Sequence, residues 1–140
     1  MRKVVPLLIG VAGLVGIIAA ADKPSEEHVT AMKNLASFVE AMSKPDAELD
    51  FDATKPWVPV VRDAFGVVEK YWTDRNTEGK YFAEITIAQE GTKAASDMGV
   101  AAALKSPEGI AASVKDIAGR CQGCHDAHRE KAPDGSFLIK

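Results

Sequence analysis

The chain has 140 residues, of which 46% are hydrophobic and 26% charged, with a formal charge of −3 at pH 7. That length is one domain's worth on a span of about 100–200 residues per domain, and the composition is that of neither a disordered chain nor a membrane bundle. A sequence pI near 5.6 leaves no cationic surplus to neutralise phosphates, which excludes a nucleic-acid-binding role.

The first residues read as an address. Arg2 and Lys3 give a short basic start, an apolar stretch runs from Val4 to Ala21, and Ala19-Ala20-Ala21 offers the small-x-small pattern of a cleavage site. The expectation is a signal peptide over residues 1–21 and one mature domain over residues 22–140, beginning at Asp22. A retained anchor is the alternative, although a bilayer span needs about 20 apolar residues. Pro6 and the glycines at 10, 13 and 16 also weaken this stretch as a helix. With the leader cleaved, no stable membrane insertion is expected. Without Arg2 and Lys3, 15 basic and 20 acidic side chains leave a formal charge of −5. Export leads to the periplasm, an oxidising compartment in which two cysteines could pair.

After the leader, apolar positions recur at helical spacing. The first segment, about Ser25 to Ser43, places Val29, Met32, Leu35, Ala36, Val39 and Met42 at steps of mostly three and four, with Glu26 and Glu27 in its first turn. Residues 44–58, with Pro45 and Pro56 ahead of Pro59 and with Asp46, Asp50 and Asp52, read as a loop. A second helix is expected from Val58 to Asn76, burying Val60, Val61, Ala64, Val67, Val68 and Tyr71. A third is expected from Lys80 to Leu104, with Phe82, Ile85, Ala88, Ala95 and Met98 approximately in phase. A fourth starts with Ser106 as N-cap and Pro107 at the first helical position, where a missing N–H costs nothing. Along it, Ile110, Val114, Ile117, Cys121, Cys124 or His125, and His128 alternate in steps of four and three, which puts chemistry on the buried stripe. Four helices with short connections predict an all-α, antiparallel up-down-up-down four-helix bundle. The only strand signal is the tail Phe137 to Ile139.

Cys121-Gln122-Gly123-Cys124-His125 is the C-x-x-C-H pattern of c-type haem attachment. Two thiols three residues apart can reach the two vinyl groups of one porphyrin, and the adjacent histidine then supplies an axial nitrogen to the iron. At about 100° per residue, Cys124 lies about 60° to one side of Cys121 and His125 about 40° to the other, so all three face one way. Two other chemistries compete. A disulfide or redox dithiol has awkward geometry on a continuous helix and lacks the βαβ pattern that usually accompanies it. A zinc site from Cys121, Cys124 and His128 lacks a fourth ligand.

A leader, four helices and one C-x-x-C-H close to the C-terminus resemble the class II cytochromes c, cytochrome c′ and its low-spin relatives. The resemblance covers the mature chain, and its specific matches are Cys121, Cys124 and His125. It implies one covalent haem c, thioethers at Cys121 and Cys124, and iron on His125. Arg129, one turn beyond His125, matches the family's basic residue near the haem carboxylates or proximal side; a solvated helix-end arginine, favoured by the helix dipole, is the other reading. His128 departs from the aromatic residue that is frequent in the family at that place.

The resemblance also places the first helix on the distal side of the haem, where Met32 is the candidate iron ligand and core filler is its bland alternative. His28, one turn earlier, is a second candidate, solvent-facing or in contact with a propionate if not a ligand. With Met32 on iron the expectation is a six-coordinate one-electron carrier that meets periplasmic redox partner proteins through weak contacts. With Met32 only packing, it is a five-coordinate haem that binds NO or CO. An enzyme is not expected, because no nucleophile and base pair or phosphate loop stands out beside the motif. Family members often dimerise through their first two helices, so monomer and homodimer both stay open.

Overall fold

The computed structural model describes residues 21–47 and 49–140; the expected signal peptide falls almost wholly outside them. Helix α1 spans Glu26–Met42 and begins where Ser25 Oγ accepts a hydrogen bond from the backbone N–H of His28 at 3.2 Å. Its acidic first turn, Glu26 and Glu27, complements the positive end of the helix dipole. Within the stretch read as a loop, a single turn, α2 (Phe51–Thr54), forms because Asp50 Oδ1 accepts from Ala53 N at 2.9 Å. Helix α3 spans Trp57–Arg75. Helix α4, Phe82–Ala103, starts two residues later than expected, since Asn76 Oδ1 takes the N–H of Tyr81 at 2.8 Å and holds the chain in a turn. Helix α5, Pro107–His128, starts as expected, with Ser106 Oγ accepting from Gly109 N at 3.1 Å.

Among the described residues the protein is mostly helical, and four long helices pack against one another. Helix α3 packs broadly on α1 and α4, and α4 packs broadly on α5, whereas α1 and α5 meet over few residues. That lighter contact leaves room between the first and last helices. Phe38, Met98, Ile110, Ile117 and Val61 are fully buried, each stabilising the fold by about 1.5–3 kcal/mol relative to exposure. Beyond α5, β1 (Arg129–Lys131) pairs antiparallel with β2 (Phe137–Ile139), Arg129 opposite Ile139. Asp22 bonds to Ile139 through both backbone groups, at 2.8 and 2.9 Å, so the first described residues close the hairpin's outer side. Among the described residues, no helix is long and apolar enough to cross a membrane.

The buried stripe of α1 differs from the expected one. It runs through His28, Ala31, Leu35, Phe38 and Met42, while Val29 and Met32 are half-buried and Ala36 is exposed. The helix therefore carries two apolar stripes, one spent on the core and one beside it. Phe82, expected inside, is 65% exposed: as the first residue of α4 its ring lies over Gly79 in the preceding turn. Phe65 and Trp72 fill core positions that the expected α3 stripe passed over.

Gly91 lies inside α4 and is needed there. A Cβ at this position would sit 2.4 Å from two atoms of the Phe65 ring, itself 3% exposed and unable to swing into solvent. Gly91→Ala is expected to destabilise the protein by about 1–3 kcal/mol through overpacking, outweighing alanine's better helix propensity. A denaturant midpoint equal to or above that of the unaltered chain would contradict this.

Candidate functional site

Between α1 and α5 lies a cleft of about 400 Å³ with mainly apolar walls. From α1 come Val29, Met32 and Ala36 of the outer stripe and His28 of the buried one, with Lys33 beside them. From α5 come Cys124, His125 and His128, followed by Arg129. Val68 and Trp72 of α3 form its floor, and Phe137 to Ile139 with Pro24 form a further wall. Burial along α5 explains the opening: Ile110, Val114 and Ile117 are buried, but Cys121, Cys124, His125 and His128 on the same stripe are only half covered. The helix thus runs out of core at the motif.

Cys121 is the exception to the expected common direction. It packs against the hydrophobic core one turn before Cys124 and does not line the cleft. The two cysteines are not bonded to each other. Burial, then the neighbouring Cys124, pushes the Cys121 thiol up to about 11; burial and then Glu84 raise that of Cys124. Both are thiols at neutral pH, the opposite of the activated thiolate of a redox C-x-x-C.

Burial also lowers the proton affinity of His125, reinforced by the Arg129 charge and opposed by Asp126. The ring is consequently neutral near pH 7, the form that coordinates metals. His128 is committed elsewhere: its Nδ1 lies 3.0 Å from the carbonyl oxygen of Lys140 and its Nε2 2.7 Å from Glu84 Oε1, both acceptors. Its ring packs on Trp72 with centroids 4.6 Å apart. The zinc alternative therefore loses its third ligand, and among the described residues no group of three or more His, Cys, Asp or Glu could hold a metal ion. The Arg129 guanidinium lies 3.4 Å from the centroid of the Phe137 ring, which holds its charge at the cleft's rim.

His28 is 8% exposed, and its Nδ1 is buried without a hydrogen-bond partner among the described residues. Its ring packs on Tyr71, centroids 4.7 Å apart. Burial foremost, then the charges of Arg75 and His125, lower its proton affinity.

Cys124, His125, Met32, His28 and Arg129, spread over about 100 positions of sequence, meet in one cleft; Cys121 stands just behind it. Sequence reasoning missed Trp72, one position out of the phase assigned to α3, and Lys33, which reads as an ordinary solvated charge. The apolar triplet Phe137 to Ile139 was visible as a strand, but nothing local to it shows that it walls a site. Set against protein-family models, curated proteins and solved structures, the chain finds no match in any of the three comparisons.

Proposed function

We propose that this protein is a periplasmic, monohaem c-type cytochrome that carries single electrons, with Cys121 and Cys124 bonded to the haem and His125 and Met32 as axial ligands. The observation that carries this reading is the meeting of Cys124 and His125 from α5 with Met32 from α1 in one apolar cleft. The residues present suit such a group. The cleft's size lies within the about 300–1,000 Å³ of small-molecule sites, its walls are apolar, and Lys33 and Arg129 offer cations for two carboxylates. Cys121, at the core's edge one turn before Cys124, would form the second thioether in this reading.

The start of α1, the end of α3, the start of α4 and the end of α5 contribute Met32, Trp72, Glu84 and His125 to one region, as an antiparallel up-down-up-down bundle would arrange them. When bound, the haem supplies one-electron redox chemistry. The chain's own residues hold it, exclude water from its faces and tune it: a thioether stabilises reduced iron and raises the potential. With His125 and Met32 holding the group, no position would be left open for a substrate, which suits transient contacts with redox partners.

An optical spectrum of exported, haem-loaded protein, reduced with dithionite and then exposed to CO, tests this. Sharp low-spin bands that resist CO are expected. A broad high-spin spectrum that changes at once overturns the carrier reading in favour of five-coordinate NO or CO binding, and absence of covalent haem overturns both.

A further inference from the structure

We propose that His28 is a second distal ligand of this cleft, an imidazole that takes the iron when the Met32 thioether is not on it. The inference rests on the haem reading above and goes beyond it, because a core histidine needs no such role. Several observations distinguish His28 from a packed ring. It lies four residues before Met32, about 6 Å of helical rise along the same wall. It is 8% exposed, yet Nδ1 has no hydrogen-bond partner among the described residues. A polar atom buried in that state costs about 1–3 kcal/mol, and a turn of the ring that brings Nδ1 round to the cleft would relieve it. Tyr71 offers the ring only a stacking surface.

Arg75 lies 3.6 Å over the Tyr71 ring and pairs with Asp22 at 3.5 Å, which fixes the aromatic surface on which the His28 ring packs. The first turn of α1 is fixed by the Ser25 cap on the His28 N–H, so the ring enters the cleft from a rigid element. The exchange is simple in its balance: one iron–sulfur bond is replaced by one iron–nitrogen bond. The neutral ring binds through the lone pair of one nitrogen and keeps its proton on the other, so no proton or electron is moved. Ferric iron, the harder state, favours the imidazole, whereas the thioether favours ferrous iron.

Holoprotein with Met32→Ala and holoprotein with both Met32→Ala and His28→Ala are compared by mass, by ferric electron paramagnetic resonance and by titration with cyanide. Covalent haem in the mass spectrum is the first readout; its absence overturns the haem reading and this proposal together. With haem attached, Met32→Ala alone is expected to stay low-spin, with two nitrogen ligands. The double variant is expected to turn high-spin and to bind cyanide at least about tenfold more tightly, because no internal ligand competes. A high-spin Met32→Ala variant, or equal cyanide affinity in the two variants, overturns the role of His28 and leaves the haem reading standing.

Discussion

Exported protein carrying His125→Ala is expected to lose normal iron coordination under either function, and millimolar imidazole is expected to restore a low-spin spectrum. The argument is one of supply. On the α5 wall, His125 is the imidazole that burial keeps neutral and that no hydrogen bond among the described residues engages, while His128 gives one ring nitrogen to Glu84 at 2.7 Å and the other to the Lys140 carbonyl at 3.0 Å. For His128 to replace His125, it would have to abandon both partners and leave Glu84, 14% exposed and with Oε2 already unpartnered, without its counterpart. Met32 and His28 belong to the opposite wall. Removing an outer-shell partner from a metal site costs about 10–100-fold in affinity or activity, and removing the ligand itself should exceed that. The measurement is haem per polypeptide together with the absorption spectrum, with and without imidazole. An unaltered spectrum without imidazole would remove His125 from the proximal position.

What the chain disclosed in advance depended on whether a signal was local. The cap at Ser106 and the proline at the start of α5 are read from neighbours in sequence, and they stand where expected. The cap at Asp50 is just as local, but the prolines around it made the stretch read as a loop and its single turn was not expected. Periodicity found the helices but not their rotation: α1 carries two apolar stripes about one residue apart, and composition alone does not say which one the core takes. His28 illustrates the cost. A histidine near a helix start usually faces water, yet this one is buried because Tyr71, 43 positions later, covers it. Cys121 illustrates the converse, since a helical wheel gives direction but not where the core ends. The hairpin wall was beyond reach for a third reason: β1 exists only because β2 pairs with it, and Asp22 joins from the other end of the domain.

The largest effect on stability is expected from the double variant Cys121→Ser with Cys124→Ser, which cannot attach haem. In the proposed holoprotein the walls of the 400 Å³ cleft pack on the prosthetic group; without it, they face each other or water. At about 24 cal/mol per Å³ for a cavity that does not relax, the deficit approaches 10 kcal/mol, an upper bound because this cleft opens to solvent and its α1 wall can move inward. Even half of that is comparable with the about 5–15 kcal/mol by which whole domains are stable. The loss should also be uneven. Helix α4 contributes nothing to the cleft's lining, so its contacts with α3 and α5 persist, and Phe38, Val61, Met98, Ile110 and Ile117 keep their partners. The contact of α1 with α5, light as it is, depends on what lies between them. The expected haem-free state therefore keeps most of its helical far-ultraviolet signal, loses near-ultraviolet signal from Trp72 in the cleft's floor, and binds a hydrophobic dye. Its denaturant midpoint should fall by several kcal/mol equivalents relative to the loaded protein. A midpoint within about 0.5 kcal/mol of the loaded protein, the range of ordinary surface substitutions, would mean that the cleft closes by itself and was not built around a bound group.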